Sequence, residues 1–387
     1  MVENQGQTEL AAQLPLPSGK PENFAPRRIA FLFAGGRECR EGGPSDFFYG
    51  ARELARWGDE IELVDLDQEQ SAGRLARAYD FALGHFTPAR TRGIDFERTW
   101  RILDRLHGHD CVVATYAGAA LALAFWRRTG FLRRPMVAIQ CGLANYRLPT
   151  PRRLSTRFLL SGYPSILFAA SEMASMRGRF RLGERELING VYGIDSDFWC
   201  PGEPRERNGI LSVGNDARRD YSMLAEAARE VPHEFRVLTR RRLPPETPDN
   251  VKLIASNWHE STVSDDELRD LYRSAACVAI PLESSLQPSG QSVALQAIAC
   301  GTPVVMTNTI GNWCPGLLDE GEGIHFSIPR DHRSLAEKIN QVLRDENAPV
   351  AALRARRKLI DNGVTIEGFA RRLRDQITLV TAGPAND

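Results

Sequence analysis

Two short segments carry residue types that can hold an anion. In Gln287-Pro-Ser-Gly-Gln-Ser-Val-Ala-Leu-Gln-Ala-Ile-Ala-Cys-Gly-Thr-Pro-Val-Val305, a Pro-Ser-Gly turn opens a helix, Gly301 caps its end and Pro303 leads into a buried strand. The backbone N–H groups of Gly290, Gln291, Ser292 and Val293 at such a helix start have no helical partner. With the positive end of the helix dipole behind them, they can hold a diphosphate without a metal ion. In Ser212-Val-Gly-Asn-Asp-Ala-Arg-Arg-Asp-Tyr221, two arginines, Arg218 and Arg219, follow Gly214 at short range. One arginine fork binds two phosphate oxygens at once. Plainer readings stand beside these: a glycine turn before a helix is common, and the two arginines also suit a solvated helix N-terminal loop.

A third segment, Ala34-Gly-Gly-Arg37, falls at a strand end before a helix. Gly35 and Gly36 let a sugar or phosphate approach the backbone, and Arg37 can meet a diphosphate or an acidic acceptor. It is not Gly-x-Gly-x-x-Gly, and Asp65 and Asp67 after the next strand are a weak dinucleotide signal. The seven histidines show no zinc-finger or metalloprotease spacing, and there is no Gly-x-Ser-x-Gly elbow or Walker loop. No metal and no bound cofactor are therefore assigned.

The elements that must position these segments are legible in the apolar periodicity. Short β-rich runs at 28–34, 61–65, 111–115, 136–140 and 166–170 alternate with helical patterns, the first of them over 45–57. Periodicity fails near Gly193-Ile-Asp-Ser-Asp-Phe-Trp-Cys-Pro201 and the polar stretch after it, which reads as a linker. Alternation then resumes with runs at 209–213, 235–239, 251–254, 277–281, 303–306 and 324–327 and helices over 266–276 and 292–300. The pattern predicts an α/β protein of two tandem Rossmann-like, doubly wound domains facing a cleft, with ligands beyond the strand C-termini. The expected boundaries are a flexible tail at 1–26, a first domain at 27–197, a second at 198–360 and a C-terminal helix at 361–387.

Composition excludes several classes. The 387 residues carry 49 basic and 49 acidic side chains, a balance that argues against nucleic acid as partner. Only Lys20, Lys252, Lys338 and Lys358 are lysines; all the other cations are arginines, as a GC-rich genome would also give. The longest apolar stretches are too short for a transmembrane helix, and the polar N-terminus does not resemble a signal peptide, so a cytoplasmic protein is expected. Seven scattered cysteines fit reduced, buried thiols. Between Arg101 and Leu160, ten arginines stand against Asp104 and Asp110. This block suits an anionic membrane, contacted peripherally, or an anionic acceptor; a solvated face with helix C-terminal cations explains it equally.

The segment ending at Val305 resembles the donor-binding helix of retaining GT-B glycosyltransferases of family 4. There a Glu, seven residues and a second Glu precede Ala-x-Ala-Cys-Gly-x-Pro-Val-Val. The resemblance puts Gln296 at the second Glu, the ribose ligand, and Pro288 at the first, which contacts the donor sugar; Glu283, Gln287 or Gln291 would have to replace it. In the family a Gly-Arg and a later Lys clamp the diphosphate. Here Gly214 matches, Asn215 stands for the Arg, and Arg218 and Arg219 are the nearby cations. By the same resemblance Thr239 and Trp258 lie where the base is held, Ser289 belongs to the diphosphate turn, and Gln140 or Asn145 lines the acceptor side, where the family's usual His is not evident. The resemblance covers roughly 27–380, most strongly 188–310. It implies a hexosyltransferase that takes sugar from a nucleotide donor, expected to be a UDP-sugar, to a small-molecule, glycan or lipid-linked acceptor, with retention and without metal. A sugar-nucleotide epimerase on the same fold and a non-catalytic nucleotide-sugar-binding protein are the alternatives.

Overall fold

The computed structural model describes residues 25–34, 43–69, 73–83, 91–255, 263–313 and 316–382. The chain divides into two units: one holds Phe48–Val191, Glu367 onward and the strand before Cys39, the other Tyr192–Ile366 and Arg40–Phe47.

In the first unit six parallel strands run in the order β2-β1-β3-β4-β5-β6. They are β1 (Arg28–Phe33), β2 (Glu60–Asp65), β3 (Cys111–Ala114), β4 (Met136–Ile139), β5 (Ser165–Leu167) and β6 (Leu187–Asn189). β3 and β4 are buried throughout, as expected of parallel strands covered on both faces. From Glu367 the C-terminal helix Ile366–Thr381 packs within this unit: Phe369 meets Phe168 and Tyr49, and Arg374 pairs with Asp59.

The second unit is again six parallel strands, in the order β12-β11-β10-β7-β8-β9. They are β7 (Ile210–Val213), β8 (Phe235–Thr239), β9 (Val251–Ala255), β10 (Cys277–Ile280), β11 (Val304–Thr307) and β12 (Ile324–Ser327). Within the unit this is the Rossmann order, three strands wound one way and three the other, reversing between β7 and β10.

The structure departs from the sequence reading in a few places. The helix expected over 45–57 is broken: a 3-10 turn, Asp46–Phe48, is followed by Tyr49 and Gly50 at φ 50° and 80°, and the helix begins at Ala51. Residues 168–170 leave the strand, and Ala170 starts a helix. β6 escaped notice because it is a three-residue strand at the sheet's edge, preceded by the charged Glu184-Arg-Glu186. The linker is not loose, since Trp199 within it is fully buried. Of the described cysteines Cys111, Cys277 and Cys300 are buried, but Cys141 is exposed.

Gly50 gives the fold a direct test. A Cβ there would lie 2.9 Å from the Ala370 Cα, a backbone atom that cannot swing away, whereas a Cβ on Gly58, also at positive φ, meets nothing within 4 Å. Gly58→Ala should cost about 1 kcal/mol through φ alone, and Gly50→Ala about 2–3 kcal/mol, read as the larger fall in thermal midpoint. Equal midpoints would remove the Ala370 contact from the account.

Candidate functional site at the switch point of the second sheet

Because the winding reverses between β7 and β10, the loops leaving these two strands are neighbours at the carboxyl edge of the sheet. They are the two segments singled out in the sequence, 214–220 after β7 and 281–290 after β10. Backbone bonds zip them together: Asp220 N–H to Pro281 O at 3.1 Å and Glu283 N–H to Arg218 O at 2.8 Å, around an antiparallel bridge between Arg219 and Leu282. Each loop then opens a helix. Asp220 caps Tyr221–Ala228, its carboxylate accepting Met223 N–H at 2.9 Å. Gly290, at φ 78°, precedes Gln291–Ala299, and the first N–H groups of that helix have no turn before them to bond.

Arg219 lies between the two loops. A Cβ on Gly214 would fall 1.9 Å from its Nε, and one on Gly290 would fall 2.9 Å from its Nη1, so the guanidinium occupies space that only glycine leaves open on both sides. The residue is 3% exposed. Its Nε and Nη1 have no hydrogen-bond partner among the described residues, and Asp216 Oδ2, 3.4 Å from Nε, forms its one ion pair there. A buried cation with idle donors is costly, and an anion at the helix start would relieve that cost.

The loop is braced from below. Gly214 O accepts the Tyr221 hydroxyl at 2.6 Å and the Thr239 hydroxyl at 2.7 Å, and Asn215 Oδ1 accepts Arg240 N–H at 2.7 Å. Arg241 Nη1 donates to Asp216 O at 3.1 Å. Arg218 points outward, half-exposed, with Nη1 3.7 Å from Glu283 Oε2. Ser289 and Ser292 are half-buried at the helix start, and the side chains of Gln291 and Val293 are buried beneath it. Among the described residues no three His, Cys, Asp or Glu side chains gather as a metal site. Gly35, Gly36, Arg37 and Trp258 lie outside the described residues.

Three residues expected at the site have partners within the protein. Thr239 is 1% exposed and its hydroxyl donates to Gly214 O, bracing the loop. Gln140 is buried, its amide donating to Ser165 Oγ at 2.7 Å within the first sheet. Gln296, expected to bond ribose, is 2% exposed with both ends engaged: Oε1 accepts the Tyr272 hydroxyl at 3.1 Å and Nε2 donates to Asp46 Oδ2 at 3.2 Å. Its helical position directs it into the unit's interior, where a carboxamide is tolerated because both ends find partners.

Asp46 is the residue that sequence reasoning missed. It is fully buried, and besides Gln296 it accepts Trp199 Nε1–H on Oδ1 at 3.0 Å. Burial pushes its carboxyl up to about 7, with the Asp195 carboxylate adding to the rise and the Trp199 and Gln296 bonds opposing it. Asp195 in turn holds the neighbouring turn, accepting Ser45 N–H at 2.8 Å. Nothing in the local sequence marks this residue, because its partners lie at 199 and 296; the aromatic Trp199 inside a polar linker was the available hint.

Residues 256–364 match the family model of glycosyl transferases group 1. The match lies wholly within the second unit and spans a little over a quarter of the chain. Among solved structures it is similar to sucrose-phosphate synthase from Thermosynechococcus elongatus, at 15% identity and TM-score 0.69 over 92% of this chain and 99% of that one. It is also similar to a glycosyltransferase from Rickettsia africae, at 13% identity and TM-score 0.67 over 93% and 100%. A third likeness is to Alr3699/HepE of Anabaena in complex with UDP-glucose, at 15% identity and TM-score 0.64 over 91% and 100%. At such identities these likenesses establish the fold, GT-B. No curated protein sequence matches the chain.

The helix Gln291–Ala299 is anchored in its second turn by the Tyr272–Gln296–Asp46–Trp199 chain of hydrogen bonds. Asp46 makes that anchor sensitive to pH. Its folded-state pKa lies above the unfolded value, so its contribution to stability is full below about pH 4 and is lost as pH rises through about 7, roughly 4 kcal/mol across the window. Asp46→Asn, which the Gln296 amide can meet by turning over, should flatten the fall in thermal midpoint between pH 4 and pH 8 relative to the parent. Identical pH profiles would mean that Asp46 ionises freely.

Proposed function

We propose that the protein transfers a sugar from a UDP-sugar to an acceptor, with retention of configuration and without a metal ion, and that the donor diphosphate lies at the β7–β10 switch point. The observation that carries this is Arg219: a buried guanidinium with two idle donors, beside a helix N-terminus, at the edge where Rossmann-order sheets bind ligands. The uridine nucleotide rests on the similarity to the Anabaena protein solved with UDP-glucose. The unit holding Tyr192–Ile366 is the donor unit in this reading, and the acceptor falls to the other.

As the bond from sugar to phosphate lengthens, negative charge grows on the leaving diphosphate. Arg219 and the N–H groups at the start of the helix Gln291–Ala299 would meet that charge from fixed positions, and positions fixed in advance need no reorganisation as the reaction proceeds. Arg218 adds a second cation from the solvent side. Their positive charge fills the role that a metal ion takes in other transferases. No side-chain base is assigned; the leaving phosphate oxygen takes the acceptor's proton. Of the three residues considered as substitutes for the missing first Glu, Glu283 keeps an exposed carboxylate, while Gln287 turns to Ser289 and Gln291 is buried.

Arg219→Ala should cut turnover of UDP-glucose, measured as UDP released with or without acceptor, by about 10²–10³-fold. It should also weaken UDP binding in calorimetry. Arg218→Ala should cost less, and Arg219→Lys should restore little, because an ammonium is a point charge that cannot fork between two oxygens. Unchanged kinetics in Arg219→Ala would sink the diphosphate assignment.

A further inference from the structure

The first unit carries a charge distribution that donor chemistry does not use. Between Asp110 and Glu184 the sequence holds eleven arginines, no lysine and a single carboxylate, Glu172. Glu172 is fully buried, so every exposed charged side chain of this stretch is a cation.

The helix Thr150–Leu160 displays that bias on one face. Thr156, Leu159 and Leu160 turn inward, while Arg153, Leu154, Arg157 and Phe158, at helical spacings of three and four, face solvent. Leu154 and Phe158 are each 56% exposed, unusual for large apolar groups one turn apart. Arg128 stacks 4.7 Å over the Phe158 ring and reaches Ser161 Oγ at 2.9 Å. Beside it opens a cavity of about 700 Å³ walled in part by Arg127, Arg128 and Arg133.

Large apolar groups flanked by arginines, in a stretch of sequence with no exposed acid, match the boundary between anionic headgroups and acyl chains. Leucine and phenylalanine can enter that boundary, while the arginine stems lie along it and their guanidinium groups stay with phosphate. A second copy of the chain would set like charges against one another, and a nucleic acid would leave Leu154 and Phe158 in water. Among the described residues no helix is long and apolar enough to cross a membrane, so contact through this face would be peripheral.

We infer that the outer face of the helix Thr150–Leu160 and the arginine-walled cavity beside it form a docking surface for membranes containing anionic phospholipid. The inference does not rest on the donor assignment, so either can fail alone.

Co-sedimentation of the full chain with sucrose-loaded vesicles tests it. Vesicles of phosphatidylcholine with about 30% phosphatidylglycerol should bind the protein at low salt and release it as salt screens the contact, and pure phosphatidylcholine should not bind it. Arg153→Gln with Arg157→Gln should lower the partition coefficient about 25-fold, about fivefold for each arginine. Leu154→Ser with Phe158→Ser should lower it at least tenfold at unchanged charge, with the thermal midpoint confirming that each variant folds. The conservative Phe158→Trp, independent of any loss of binding, should add blue-shifted emission with the anionic vesicles. Failure to bind anionic vesicles, or full binding by the Leu154/Phe158 variant, would overturn the proposal; the latter would indicate a site for soluble polyanions instead.

Discussion

A guanidinium removed from water must donate to something, and the second unit is arranged around that requirement. Arg219 is held where two backbone turns approach so closely that neither Gly214 nor Gly290 has room for a Cβ. The arrangement exists because β7 and β10 are neighbours in the sheet though far apart in sequence, which brings the two turns to one edge. The Tyr221 and Thr239 hydroxyls pin Gly214 O, and the bonds between the loops fix Arg219 lengthwise. Asp216 is the one ion-pair partner of Arg219 among the described residues, and Nε and Nη1 have no hydrogen-bond partner there. Such a group is destabilising until an anion arrives, and this makes it useful for binding one.

The helix Gln291–Ala299 links this cation to the second feature of the unit. Its first turn offers N–H groups beside Arg219, and its second turn carries Gln296 into the buried chain of Tyr272, Asp46 and Trp199. A short helix can present its N-terminus reproducibly only if it is prevented from sliding or rotating. Apolar packing restrains both weakly, whereas directional bonds at Gln296 fix rotation and height together. The linker and the 43–47 turn, which carry no apolar periodicity, thereby help to position this helix.

Much of this was legible in the sequence and some of it was not, for physical reasons. Every strand but β6 followed from apolar runs, because buried parallel strands are apolar on both faces. The two loops at the switch point were visible because glycine turns, arginines and helix starts are local signals. The internal partners of Gln296 and Thr239 were not legible, because sequence gives a residue's type and position on its helix or strand, while exposure depends on what packs against it. Asp46 was invisible for the same reason in stronger form: a lone aspartate next to aromatic residues reads as a turn residue until Trp199 and Gln296 are found against it. The cations of the first unit were counted correctly, but a count cannot show that Glu172 is buried and Leu154 exposed.

The preference for arginine over lysine takes on a different meaning in the two units. A biased genome explains the number of arginines but not which of them can be buried. A guanidinium holds its proton far more tightly than an ammonium does, whereas a desolvated lysine is driven toward its neutral form and loses its attraction for phosphate. On the outer face of the helix Thr150–Leu160 the advantage is the weaker hydration of guanidinium, which lets it lie against Phe158 as Arg128 does. An arginine-rich chain thus supplies a buried cation in the second unit and a stacking cation on the surface of the first, and a lysine in either place would lack the property described.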